Sequence, residues 1–376
     1  MDAPVDFSPT LRLLLLAALG ALLPLAWVWL RQRHADGPAR LAMLTAVTLF
    51  LTFDLIVFGA FTRLTDSGLG CPDWPGCYGH ASPVGAATPI AQAEAAMPTG
   101  PVTESKAWIE MVHRYLAMVV GALCLVIAVS SWVGRDRLPH SPWLPTLTLV
   151  WVIVQGLFGK FTVTLKLYPA IVTLHLLGAL VLLGLLAVQR ETFRARPLQL
   201  SAPLRRLALT VLALLVVQIA LGGWVSTNYA VLACSGFPAC NGQWWPKADW
   251  AQGFTILREL GHTRAGELLP FDALVAIHWA HRVFALLAAA ALVLLALALR
   301  RAGGPLRSTW GLGLLLLTGL QLATGLTNVV LQWPIVAALL HSAGAAALVL
   351  HLTLLLARSA VAEPARRPIG ALAGLA

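Results

Sequence analysis

Four histidines, His113, His175, His281 and His341, each stand near the start of a long apolar stretch, one pair in each half of the chain. An imidazole in an apolar helix loses its hydration and is costly unless something uses it. Each pair has at most one further His or carboxylate within a turn, short of a four-ligand set, which makes a poor zinc site, since zinc usually takes four ligands. A haem iron already has four porphyrin nitrogens and needs only axial ligands, and two imidazoles from facing helices suit it. Two pairs therefore predict two haem sites, one per half.

Several other residues sit close enough in sequence to share in that chemistry. Glu110 lies three residues before His113, on the same helical face, and is expected to point into the same site. A carboxylate there could relay a proton or stabilise a developing cation; the plainer reading is a glutamate favoured by the dipole near a helix start. Its counterpart in the second half is His278, which stands one turn from His281 and competes with it as a ligand. Arg114 and Arg282 directly follow His113 and His281, and are candidates for pairing with haem propionates or for snorkelling to the interface. Asp54 is an acid in the middle of an apolar run, with Val217 as its counterpart.

Four of the five cysteines form two pairs with six-residue separation, Cys71/Cys77 and Cys234/Cys240, in the two long polar stretches. In an oxidising compartment this spacing reads as two short intraloop disulfides, with thiol exchange during turnover as the alternative. Cys124 falls inside an apolar run and reads as a packed thiol.

The elements that must position these residues are membrane helices. The chain is 59% hydrophobic and 11% charged, with a mean hydropathy of +0.79. Apolar segments at 11–30, 41–62, 107–133, 143–164, 170–190, 205–227, 272–299, 309–331 and 335–357 are each long enough, or nearly so, to cross a hydrocarbon core. Only the loops 63–106 and 228–271 are sizeable outside them, so there is no room for a separate soluble domain. The net charge of +10 does not call for nucleic acid, because 16 of the 26 Lys and Arg fall on one expected side. Arg31, Arg135, Arg194, Arg205, Arg300, Arg366 and Arg367 are among them. The positive-inside rule makes that side cytoplasmic, which places both large loops and the N-terminus outside. Segment 11–30 lacks a basic stretch before it and a cleavage site after it, and reads as a retained helix rather than a signal peptide.

The chain also repeats itself. GAFTRLTDSGLGCPDWPGCYG (59–79) aligns without a gap to GGWVSTNYAVLACSGFPACNG (222–242), with six identities in 21 positions including both cysteines and the proline between them. EMVHR (110–114) matches HWAHR (278–282), QGLFG (155–159) matches QLATG (321–325), and His175 matches His341. The fold expected is an all-α integral membrane protein: two parallel four-helix-bundle repeats, related by a pseudo-twofold axis along the membrane normal, plus one extra N-terminal helix. The divisions are 1–40 for the extra helix and its loop, 41–190 for the first repeat, 191–204 for a basic linker, 205–357 for the second repeat and 358–376 for a tail.

Taken together, GAFTRLTDSGLGCPDWPGC (59–77), EMVHR, QGLFGKFTVTLKLYPAIVTLH (155–175), CSGFPAC (234–240), the HR pair at 281–282 and HSAGA (341–345) resemble the haem A synthases, over roughly 41–357. The resemblance implies oxidation of the C8 methyl group of haem O to the formyl group of haem A, by two hydroxylations and loss of water. It implies that His281 and His341 hold a resident haem b, that His113 and His175 bind the substrate haem O, and that Glu110 is the catalytic acid. It also implies a bacterial inner-membrane enzyme whose partners are haem O synthase and terminal oxidase assembly factors, with a homo-oligomer left open. Helix 11–30 is additional to the family pattern, and His278 stands where glutamine is often expected. A diheme electron carrier also needs bis-imidazole pairs, but usually stacks its haems across the membrane, whereas these histidines share one expected depth. A transporter would need polar or broken helices at the midplane, and only Asp54 answers to that.

Overall fold

The computed structural model describes residues 8–138, 140–193 and 196–360; Arg194, Arg366, Arg367 and most of the expected tail lie outside the described residues. The described residues are helical without a β-strand, and nine of their helices are long and apolar enough to cross a membrane. These are α1 (Ser8–Arg31), α2 (Gly37–Leu64), α4 (Glu104–Val133), α5 (Trp143–Thr164), α6 (Pro169–Phe193), α7 (Ala202–Thr227), α9 (Phe271–Arg301), α10 (Leu312–Val330, entered through a wider turn at Leu306–Gly311) and α11 (Ile335–Ala360). Each contains the apolar segment expected of it, within a few residues, and most run past it because polar caps add turns that hydropathy does not register. Asp36 accepts a hydrogen bond from the Ala39 N–H at 2.8 Å to start α2, and Thr103 accepts from Lys106 to start α4. Two short helices inside the long loops, α3 (Ala87–Ala96) and α8 (Trp250–Gly253), carry no apolar signal.

The packing makes two rings of four. In the first, α2, α4, α5 and α6 touch in cyclic order; in the second, α7, α9, α10 and α11 do the same. Across the middle α2 meets α11, α6 meets α7, and α6 meets α11, the pattern a twofold exchange of the halves requires. One continuous apolar core joins them, including Leu183 and Leu186 of α6, Val211 of α7, Leu295 of α9 and Leu352 of α11. Helix α1 lies outside both rings, on α4 and α2. Its Leu13 packs with Cys71, Cys77 and Met111, so its first turns stand on the side of the long loops.

The backbone repeats more faithfully than the sequence does. Left-handed residues close α2 and α7 at equivalent places, Asp66 (φ 50) and Tyr229 (φ 55). The same holds in the disulfide loops, at Tyr78 (φ 48) and Asn241 (φ 53), and between the last two helices of each half, at Lys166 and Leu167 against Gln332 and Trp333. Isolated bridges pair Cys77 with His80 and Cys240 with Gln243. These positions are mostly different residue types, so it is the shape of the loop that recurs rather than one side chain.

On the linker side the halves are tied by charge. Glu191 is 1% exposed, and its carboxylate accepts from Arg190 at 2.5 Å and pairs with Arg358 of α11 at 3.3 Å. Both guanidiniums keep some access to water, so removing Glu191 should cost less than breaking a fully buried pair. Glu191→Ala is expected to lower stability by about 1–2 kcal/mol, read as a lower melting temperature of the detergent-solubilised protein; an unchanged melt would refute the tie.

Candidate functional site

Each of the four histidines is met by a glycine of a neighbouring helix. A Cβ added at Gly59 of α2 would lie 3.0 Å from His113 Nε2, and one at Gly222 of α7 would lie 3.0 Å from His281 Cε1. On the other side of each ring, a Cβ at Gly159 of α5 would approach His175 Cε1 to 3.7 Å, and one at Gly325 of α10 would approach His341 Cε1 to 3.1 Å. Gly59 and Gly222 occupy matching places, as do Gly159 and Gly325. At Gly59, Gly222 and Gly325 the imidazole crowds the volume that a Cβ would fill, while at Gly159 the approach is ordinary contact. His113 on α4 and His175 on α6 stand on opposite members of the first ring, and His281 on α9 and His341 on α11 on opposite members of the second, so the fold sets each pair read from the sequence around one ring.

One turn deeper, Gln155 and Gln321 lie against Gly178 and Gly344 on the helices that carry His175 and His341. A Cβ at Gly178 would meet the Gln155 amide at 2.0 Å, and one at Gly344 would meet Gln321 at 2.4 Å. These glutamines and glycines are a second layer that the His-centred reading did not single out, although the QxxxG spacing in 155–159 and 321–325 signals it.

The two halves differ in what holds the rings. In the second, the Gln218 amide nitrogen is 3.0 Å from His281 Nδ1 and donates to the His281 carbonyl at 3.2 Å. Thr324 Oγ1 is 3.1 Å from His341 Nδ1. In the first, the corresponding positions are Leu55 and Phe158. His113 instead stacks on Phe58, with ring centroids 6.4 Å apart and planes 11° apart. His175 Nδ1 is buried and finds no hydrogen-bond partner among the described residues.

Glu110 is placed differently from the sequence expectation. It is 4% exposed and turned towards the disulfide loop: its Oε2 accepts from the Cys71 N–H at 2.8 Å, and its Oε1 pairs with the Arg114 guanidinium. Arg114 in turn donates to the carbonyls of Asp73 at 2.9 Å, Pro75 at 3.3 Å and Gly76. The second half repeats the motif with another partner. Arg282 Nε donates to His278 Nε2 at 3.1 Å, while its Nη atoms donate to the carbonyls of Gly236 at 2.9 Å and Cys234 at 2.6 Å. Both arginines are thus clamps on the loops closed by the Cys71–Cys77 and Cys234–Cys240 disulfides. The bond from Arg282 occupies His278 Nε2, and it is His281 that faces His341. Cys124 is free and buried. Asp54 is exposed on α2.

Between the halves stands a group that the sequence reading missed. Arg63, one turn beyond Gly59, donates to the Ser226 carbonyl at 2.5 Å, one turn beyond Gly222. Its guanidinium lies 3.9 Å over the Tyr229 ring, and the Tyr229 hydroxyl donates to Asp66 at 2.7 Å. Positions 63 and 226 are repeat mates, and so are 66 and 229, so residues here meet their own counterparts across the pseudo-twofold axis. Burial holds the Tyr229 phenol above its ordinary pKa, opposed by the Arg63 charge. Arg258 is buried in the second loop, donates to Asn228 Oδ1 at 2.5 Å, and is pushed below the usual guanidinium range by desolvation. The offset of 163 residues, which pairs Asp66 with Tyr229, is the signal that could have found the axial group.

The donor set fits haem. Two opposed imidazoles per half are each given room by a glycine, and no group of three or more His, Cys, Asp or Glu that could hold a bare ion forms among the described residues. Residues 42–353 match the sequence profile of the COX15-CtaA family, described as cytochrome oxidase assembly protein. The chain belongs to this family. Helix α1 falls outside the matched span, and both glycine-backed pairs fall within it. The chain is 39% identical to the Heme A synthase of Shewanella oneidensis over 324 residues, covering 83% of this chain and 94% of the relative. It is 31% identical to the Heme A synthase of Shouchella clausii over 257 residues, 66% and 77% of the two chains. With the Heme A synthase of Caulobacter vibrioides it shares 28% identity over 357 residues, 89% and 98% of the two chains.

The seating of the first disulfide loop is testable. A Cβ at Gly70 would fall 2.5 Å from the Lys106 carbonyl carbon of α4, a backbone atom that cannot yield, whereas one at Gly121 meets nothing within 4 Å. Gly70→Ala is expected to lose about 1–3 kcal/mol and Gly121→Ala to lose little. Thermal unfolding of the two variants side by side checks this; equal melts would contradict it.

Proposed function

We propose that this chain is a haem A synthase, converting the C8 methyl group of haem O to the formyl group of haem A. Its class, a membrane oxidoreductase, follows from the family and from relatives named Heme A synthase. The finer assignment places the substrate haem O at His113 and His175 and a resident haem b at His281 and His341. The single observation that carries it is the inequality of two otherwise matching sites. Only the first has a carboxylate, Glu110, one turn from its histidine, and only the second has both imidazoles held by side-chain hydrogen bonds. A site that must exchange its occupant is served by the first arrangement, and a site that must keep it by the second.

Haem b, when bound, supplies one-electron transfer. The chain's own residues do the rest. The glycine-backed imidazoles orient the two groups, and the apolar helices around them exclude water. The Glu110 carboxylate, held by the Cys71 amide and Arg114 one turn from His113, is the group assigned to take a proton released as methyl C–H bonds give way to C–O bonds, or to steady a developing positive charge. Written with water as the oxygen donor and an external electron acceptor, each hydroxylation takes up one water and gives up two electrons and two protons; two of them give a geminal diol, and loss of one water leaves the formyl group. Arg114 and the disulfide make the loop and this carboxylate one rigid unit. The same reading puts the long loops and the N-terminus outside a bacterial inner membrane and the basic linkers in the cytoplasm. The domain division is 41–190 for the substrate repeat and 205–357 for the haem b repeat. Haem O synthase and terminal oxidase assembly factors are the expected partners.

Haem extracted from purified wild-type protein should contain haem b together with haem O or its oxidised products. Glu110→Gln should retain haem b and lower the oxidised products by a factor of roughly 10²–10⁴. Haem b alone in both proteins would overturn the proposal.

A further inference from the structure

Thr324 and Phe158 occupy the same place in the two halves, one residue before the glycines that face His341 and His175. Thr324 commits its hydroxyl proton to the Leu320 carbonyl at 2.8 Å, with the Gln321 carbonyl at 3.2 Å as a second acceptor. Its oxygen lies 3.1 Å from His341 Nδ1, and with its own proton spent it can only accept there. The Nδ1 of His341 must then carry the hydrogen, which leaves Nε2 with a free lone pair. His175 has no such partner: Phe158 offers no acceptor, and its Nδ1 is buried and unpaired among the described residues.

We propose that Thr324 is a positioning residue that fixes the tautomer and ring orientation of His341, making the second pair a retaining haem site, and that its replacement by Phe158 leaves the first pair exchangeable. The argument rests on the assignment of a resident haem b to His281 and His341. A hydroxyl that accepts from Nδ1–H also makes the imidazole a stronger donor through Nε2. That favours the ferric over the ferrous state of an iron held there and lowers its potential. The first pair, without that bond, binds its occupant more weakly and lets product leave. At His341 and His175 the difference between holding and releasing is thus carried by Thr324 against Phe158, beside the Gln218 contact that holds His281.

The test uses the full-length protein in detergent, with haem b as the probe. Thr324→Val keeps the shape and removes the hydroxyl acceptor, leaving the Gln321 backbone beside the ring; Thr324→Ser keeps the hydroxyl. Transfer of haem b to haem-free myoglobin should be roughly tenfold faster from Thr324→Val than from wild type, as loss of an outer-sphere partner to a ligating histidine implies. The midpoint potential should also rise, by about 59 mV if the tenfold weakening falls wholly on the ferric form. Thr324→Ser should restore both values. Should Thr324→Val fail to accumulate, Thr324→Ala removes the same acceptor without added bulk and is read in the same way. Wild-type release and potential in a valine or alanine variant would overturn the inference while leaving the proposed function standing. Absence of haem b from the wild-type protein would overturn the functional reading, and this inference with it.

Discussion

Close approach of an imidazole to a bare helix backbone is the contact on which the rest of this structure depends. A histidine ring packs most closely between two apolar helices where the facing helix gives up a Cβ, as at Gly59, Gly222 and Gly325; Gly159 lies in ordinary contact with the fourth ring. Those four positions set where α2 may pass α4, where α7 may pass α9, and where the last two helices of each half meet. In a membrane the helices gain little from burying apolar surface against each other, since lipid is as apolar as leucine; close packing at small residues and interhelical hydrogen bonds decide their arrangement. Gly178 and Gly344, which admit Gln155 and Gln321, extend the same logic one turn deeper.

Symmetry supplies the scaffold and departures from it supply the chemistry. The two disulfide loops share left-handed residues, isolated bridges and an arginine clamp. Against that background the unlike pairs stand out: Glu110 against His278, Phe158 against Thr324, Leu55 against Gln218. Each substitution changes the polarity around a histidine without changing the path of the backbone. Duplication followed by such local edits gives two sites of similar shape and unlike polarity, joined at the axis where Arg63 and Asp66 meet the repeat mates Ser226 and Tyr229.

Much of the fold was legible because membrane helices announce themselves: in lipid every backbone N–H and C=O must be satisfied within the helix, so long apolar runs have one available structure. The pairing of His113 with His175 and of His281 with His341 was also legible, from the repeat alone. The direction of Glu110 was not. Helical periodicity put it on the face of His113, but a carboxylate at that position turns to the nearest donors, and these are the Cys71 amide and Arg114. Nor were the partners of the arginines legible: Arg114 and Arg282 donate to loop carbonyls that lie some forty residues away in sequence.

The sequence by itself determined the number and extent of the crossings, the two-part repeat and which histidines belong together, because these follow from composition, length and internal likeness. Only the tertiary structure decided which nitrogen of His341 is engaged, that His175 Nδ1 is left unpaired, that His278 serves Arg282 rather than the second site, and that α1 lies outside both rings. Hydrogen bonds are short-range and directional. Their partners come from helices and loops distant along the chain, and no local pattern of residues states who will be within 3 Å of whom once the chain has packed.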